Sequence, residues 1–231
     1  MATHTLTVIS SMATKQVLAE LFDLYQANHP GTQVELLSVG GVDAAKRVQA
    51  GEVFDVVALA GNAIQGLTDE GHLVAGSRGD VVRSGVALAV RTGSPHPDIG
   101  SEAAVRAAVL AAPTIGYSTG PSGVQLAKLF ERWGLTDTLK DRIVTAPPGV
   151  PVGALVADGR VALGFQQLSE LLGLPGIDVL GPLPDSIQII TTFAAGLATA
   201  SPQAAAARDL LAFLSDPATA AVKQRHGMEA A

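Results

Sequence analysis

Along this chain, short runs of β-branched and other apolar residues alternate with longer stretches in which apolar side chains recur every three or four positions. The first pattern suits a buried strand and the second an amphipathic helix, so their alternation predicts an α/β protein built on parallel sheet. Thr5 to Ile9 reads as a strand and Ser10-Ser11 as a turn. Met12 to Ala27 reads as a helix with Val17, Leu18, Leu21, Phe22 and Tyr25 on one side, stopped by Asn28-His29-Pro30-Gly31. The same unit recurs from Val34-Glu35-Leu36-Leu37 through Ser38-Val39-Gly40-Gly41 into a helix ending at Gly51. It recurs again from Asp55 to Leu59 through Gly61-Asn62 into Ala63 to Glu70.

After a break at Ser84-Gly85, Val86 to Val90 reads as a strand followed by a rigid loop, Thr92 to Pro97, and a second series begins. Pro113 to Tyr117 leads through the loop Ser118 to Gly123 into a helix carrying Val124, Leu126, Ala127, Phe130 and Trp133. Val161 to Gly164 leads through Phe165-Gln166-Gln167 into a short helix, Ser169 to Leu172, closed by Gly173. Ile187 to Ala198 is a long strand-like stretch, and Ser201-Pro202 caps a helix from Gln203 to Leu214. Two series, each followed by a long extended segment, predict two α/β lobes that share the chain discontinuously. Residues 1 to 82 with 193 to 231 form the first lobe and 83 to 192 the second.

Composition narrows the function. The 231 residues are 48% hydrophobic, 16% charged and 4% aromatic, with 15 basic against 21 acidic side chains and a net charge of −6. Such a chain has core enough for two small lobes, is poorly suited to disorder, and lacks the basic face that duplex DNA demands. Without cysteine it has no disulfide, thiolate nucleophile or sulfur-bound zinc. Runs such as Ser84 to Val90 and Phe193 to Ala200 fall well short of the ~20 apolar residues that span a bilayer, so membrane insertion is not expected. Met1 to Ser10 shows no basic segment followed by an apolar one. A cytoplasmic location is expected if the chain is complete as given, and a periplasmic one if a signal peptide was removed.

The small polar residues fall where strands hand over to helices: Ser10-Ser11, Gly40-Gly41, Ser118 to Gly123 and Gly149 to Gly153. Free backbone N–H groups and the positive end of the helix dipole converge there, and in an open α/β fold such loops gather at the carboxyl edge of the sheet. That is the makings of an anion site, although serine and glycine at these places also serve simply as caps and turns. Phosphate-loop, dinucleotide and nucleophile-elbow motifs are missing. His4, His29, His72, His96 and His226 lie far apart with no i+3 or i+4 partners, so neither metal nor cofactor is expected. Lys15 and Glu170 stand where an acid or base would be needed, but both also suit a solvated helix end. The residues that would carry out catalysis stay unknown.

Taken with Gln49 to Val57 entering the third strand, Pro121-Ser122-Gly123 and Gly153-Ala154-Leu155 opening helices, and Leu163-Gly164 before a turn, this order of motifs resembles the molybdate-binding proteins of ABC uptake systems. These have the two-lobed type 2 periplasmic-binding-protein fold, with mixed sheets flanked by helices and a ligand cleft between lobes. The resemblance implies a small-anion solute-binding protein whose ligand is held by Ser10 or Ser11, Gly41, Ser122, Val152 and Gln167, with Gly40, Gly123 and Gln166 beside them. It also implies an ABC permease as partner if the protein is exported, and no nucleic acid. Where that family offers a small hydroxyl this chain has Gly40-Gly41, and where it offers tyrosine this chain has Gln167 beside Gln166. These departures fit an organic polycarboxylate as well as an oxyanion. One branch of the family resembles aconitate isomerase, which implies a second reading: a cofactor-independent isomerase shifting a double bond in a tricarboxylate.

Overall fold

Eight residues of strand β1 (His4–Ser11) pair in parallel with eight of β2 (Thr32–Val39), from His4 opposite Thr32 to Ser11 opposite Val39. In the computed structural model, which describes residues 4–147 and 149–231, the remaining elements follow in chain order. Helix α1 (Lys15–Asn28) lies between those strands, followed by α2 (Gly41–Gln49), β3 (Val56–Ala60), α3 (Gly61–Asp69) and β4 (Gly79–Arg91). Next come α4 (Glu102–Ala111), β5 (Ile115–Ser118), α5 (Pro121–Arg132), α6 (Thr136–Leu139) and β6 (Ile143–Ala146). The series continues with α7 (Val152–Ala157), β7 (Leu163–Gln167), α8 (Leu168–Leu171), β8 (Ile177–Pro182) and β9 (Ile190–Leu197). It closes with α9 (Ala204–Leu214), α10 (Ala220–Arg225) and β10 (Glu229–Ala230). The chain forms two units, one ending at Arg83 and resuming at Thr192, the other Ser84–Thr191.

In the first unit the sheet runs β2-β1-β3-β9, parallel except for β9, which is antiparallel to β3. Strand β3 is buried along all five residues, as a central strand covered on both faces must be. One face packs Leu6 and Val8 against Val17, Leu18, Leu21 and Phe22 of α1 and Leu210 and Leu214 of α9. The other packs Ile9, Val57 and Leu59 against Ala44 and Val48 of α2 and Ile64 and Leu67 of α3. Each fully buried Leu or Phe contributes on the order of 2 kcal/mol through area removed from water.

The second unit repeats the plan. Strand β5 is parallel to both β6 and β7, while β4 is antiparallel to β7 and β8. One face carries Val86, Leu88 and Phe165 against Val105 and Val109 of α4 and Leu126, Leu129 and Phe130 of α5. The other carries Ala87 and Ala89 against Val152, Leu155 and Val156 of α7 and Leu171 of α8. Helix α7 sits close to the sheet, because a Cβ at Gly164 would lie 2.5 Å from Val156 Cγ2 and one at Gly116 3.2 Å from Val152 Cγ1.

Several local expectations are corrected. Ser84-Gly85 does not break the chain but lies inside the thirteen residues of β4. The Gln188 amide lies over Gly85, where a Cβ would be 3.1 Å away, and its Oε1 accepts from Val86 N at 3.0 Å, replacing a side chain by a packed amide. Phe165-Gln166-Gln167 are strand, not turn, and α8 begins immediately after them. Ser201 does not cap α9, which starts at Ala204. Its hydroxyl instead donates to the buried carboxylate of Asp55 at 2.6 Å. On α5, Val124 and Ala127 are exposed, and Trp133 is half-buried with its Nε1 donating to Glu102 at 2.7 Å. Helix α4, helix α6 and strands β6 and β8 were not anticipated.

Candidate functional site

In the first unit the parallel register places the ends of β1, β2 and β3 side by side, since Ser10 is opposite both Ser38 and Ala58. Each strand passes almost directly into a helix. The two-residue period of a strand sends Ser10 and Ser11 to opposite faces. Ser10 Oγ is committed to Ser38 Oγ at 2.8 Å and to the Ser11 carbonyl at 3.1 Å. Ser11 faces α2, and a Cβ added at Gly41 would lie 3.7 Å from Ser11 Cβ. Among the described residues the Ser11 hydroxyl has only a long contact, 3.5 Å, to Thr14 Oγ1.

Gly40 and Gly41 form no enlarged loop. Gly40 is the N-cap of α2, with φ −55° and ψ 137°, and Gly41 is already helical. Neither has positive φ, and the Gly41 contact is ordinary, so nothing in the backbone or packing at Gly41 demands glycine. The first bond of α2 runs from Ala44 N to the Gly40 carbonyl, which leaves the N–H groups of Gly41, Val42 and Asp43 ahead of it. Helix α3 begins the same way at Gly61, where the sequence pattern predicts a loop.

The second unit gathers Ser122, Gly123, Val152, Gln166 and Gln167 at the corresponding edge. Ser122 is buried in the first turn of α5, and its hydroxyl bonds to no other described residue. Helix bonding begins with Val124 N to the Gly120 carbonyl, so the N–H groups of Ser122 and Gly123 point out of the helix start. Gly123 is glycine for a steric reason: a Cβ there would sit 1.7 Å from the Ser118 carbonyl oxygen. The crowding is therefore with the chain's own backbone and not with a ligand. Val152 has its side chain in the core, so only its N–H group is available to bind.

Gln166 and Gln167 part company on β7. Gln166 faces α7 and α8, where its Oε1 accepts from Gly153 N at 3.3 Å and its Nε2 donates to Glu170 Oε1 at 2.9 Å. Burial pushes the Glu170 carboxyl up to about 7, with the Gln166 bond opposing the shift. Gln167 faces α5 and donates through Nε2 to Thr191 Oγ1 at 2.9 Å. Lys15 is exposed on the first turn of α1. The histidines are engaged elsewhere, His96 with Asp178 at 3.0 Å and His226 with Glu20 at 2.7 Å. Among the described residues no group of three His, Cys, Asp or Glu could hold a metal, and no helix is long and apolar enough to cross a membrane. A groove of about 440 Å³ along α5, lined by Gln125, Lys128, Arg132 and Ser186 to Ile190, contains none of the candidate residues. Ser84 and Thr191 were not legible as site residues, because Arg83 on β4 and Thr192 on β9 stand beside them and only tertiary packing shows which polar side chains are buried.

Comparisons with known proteins follow the same lines. A family model described as bacterial extracellular solute-binding protein matches residues 6–229. An aconitate isomerase from Pseudomonas sp is 36% identical over 97% of this chain and 87% of its own length. The periplasmic molybdate-binding protein of Azotobacter vinelandii superposes with a TM-score of 0.80 at 20% identity, over 96% of this chain and 98% of that one. The sulfate-binding protein SubI of Mycobacterium tuberculosis superposes with a TM-score of 0.80 at 14% identity, over 97% and 86%. At such identities the two structures speak for the fold alone.

Proposed function

Because the chain belongs to the bacterial extracellular solute-binding protein family, we propose that it binds one small anion, an oxyanion or an organic polycarboxylate, through helix starts of the kind found in both units. The observation that carries this is the opening turn of α5. A buried serine hydroxyl and two N–H groups there have no acceptor among the described residues and converge at the positive end of a twelve-residue helix. Ser11 and Gly41 of the first unit, and Ser122, Val152 and Gln167 of the second, are the residues proposed to bind such an anion.

A thermal-unfolding screen of molybdate, sulfate, phosphate, citrate and aconitate tests the reading, because a ligand that binds only the folded chain raises the melting temperature.

A second reading, isomerisation of a polycarboxylate, is favoured by the 36% identity to an aconitate isomerase over nearly the whole chain. Moving a double bond requires a proton to leave one carbon and another to arrive elsewhere. Glu170 has the near-neutral affinity for a proton that such work uses. Incubating cis-aconitate with the protein in deuterated water should give the trans isomer carrying solvent deuterium. Tight binding without isomer from pH 6 to 9 would leave the binder reading. Under that reading, periplasmic residence and an ABC permease partner complete the proposal.

A further inference from the structure

Two buried polar atoms of the second unit have no hydrogen-bond partner among the described residues, Gln167 Oε1 and Ser84 Oγ. Gln167 is 3% exposed and Ser84 1%. They share a face of the sheet. Gln167 lies opposite Val86 in the β4–β7 register, Ser84 precedes Val86 by two residues, and side chains two apart on a strand point the same way. This is the face that α5 covers, since Val86 and Phe165 pack with Leu126 and Phe130 of that helix. The Gln167 amide is held by its bond to Thr191, leaving the carbonyl end as the free one.

The α5 start therefore offers donors, and the strand face beneath it offers an acceptor. An anion site made only of donors takes any deprotonated oxygen. A carbonyl oxygen added to it repels such an oxygen and accepts from an O–H. We propose that Gln167 and Ser84 form an acceptor subsite that selects anions still carrying an O–H group. This rests on the reading that the ligand binds at the start of α5. The O–H has two chemical sources, a hydroxyl on the carbon skeleton or a protonated carboxyl of a polycarboxylate. A buried acceptor left unpaired by the wrong ligand makes the expected discrimination about tenfold or more.

Calorimetric titration of citrate and tricarballylate, which differ only by the central hydroxyl, tests this on wild type, Gln167→Met and Ser84→Ala. If the hydroxyl is the source, wild type binds citrate at least about tenfold tighter at pH 8, where the carboxyls of both are ionised. If a protonated carboxyl is the source, the two bind alike at pH 8 and tricarballylate tightens by about tenfold or more toward pH 5. In either case Gln167→Met loses the preference while still binding, and Ser84→Ala weakens it. Glu170 titrates over the same range but lies with Gln166 on the opposite face and affects wild type and Gln167→Met alike. Equal affinities with no pH effect, or a preference unchanged in both variants, overturn the subsite alone. If Gln167→Met does not fold, the wild-type ratios and Ser84→Ala decide. If only molybdate, sulfate or phosphate binds, this proposal alone falls, and if no anion of either class binds, the anion reading falls with it.

Discussion

The two units are built on one plan, parallel strands feeding helices on both faces, yet they end their strands differently. In the first unit the strand ends are small and their polar groups are largely satisfied: Ser10 is bonded to Ser38, and Gly40 and Gly41 carry no side chain. In the second the ends are two amides and a serine buried under tight packing. Gln166 is consumed by Gly153 and Glu170, whereas Gln167 keeps a free carbonyl oxygen. The first unit is thus permissive, presenting backbone N–H groups at the start of α2 beside two residues without side chains. The second is discriminating, because a buried unsatisfied group rewards one ligand chemistry and penalises others.

Glycine breaks the comparison most sharply. Gly123→Val drives a side chain into the Ser118 carbonyl and should cost more than about 4 kcal/mol, the range reached by severe overpacking with backbone displacement. A urea midpoint close to wild type would show that α5 does not sit as described. Gly41→Ala, with only Ser11 Cβ at 3.7 Å, should leave stability within about 0.5 kcal/mol and weaken anion binding by narrowing the open edge. The two glycines would then serve opposite ends, one holding the fold and the other leaving room.

Glu170 gives the second unit a carboxyl held above its ordinary range, whereas Glu20 in the first is held below it by bonds from Arg225 and His226. The folded-state pKa of Glu170, about 7, lies above its ordinary value of 4.5. The penalty for ionising it is absent below that ordinary value, grows as pH rises, and is complete above 7. Wild type should therefore lose stability over this window, by no more than about 3 kcal/mol, relative to Glu170→Gln. Parallel pH profiles for the two proteins would contradict the burial of that carboxyl.

Ser122→Ala is the smaller, functional contrast. It should reduce anion affinity by about 1.5–3 kcal/mol, the scale of a hydrogen bond to a charged group, because the backbone donors of α5 survive. Its melting temperature without ligand should match wild type, since the hydroxyl has no partner to lose among the described residues.

Much of this was legible before the structure. The alternation of strand and helix, the existence of β1 and α1, and the serine and glycine positions at strand ends follow from periodicity and capping chemistry, but Ser10-Ser11, read as a turn, are strand, and α1 starts at Lys15 and not at Met12. What escaped did so for identifiable reasons. Ser84-Gly85 looks like a break because the packing that sustains it comes from Gln188, about a hundred residues away. Ser201 looks like a cap, and only tertiary structure shows its hydroxyl drawn to Asp55. Adjacent glutamines read as a joint pocket extension, but a strand's alternation divides them, and that becomes visible only once β7 is known to run through Gln167. The steric origin of Gly123 likewise depends on where α5 turns back on Ser118.

The central claim, that a small anion is held where the chain's helices begin, is tested most directly by thermal unfolding of the wild-type protein against molybdate, sulfate, phosphate, citrate and aconitate. The account predicts that at least one carboxylate raises the melting temperature progressively with concentration, by mass action on the folded state, and that Ser122→Ala needs more of it for the same shift. A melting temperature unmoved by every anion in the panel would contradict it.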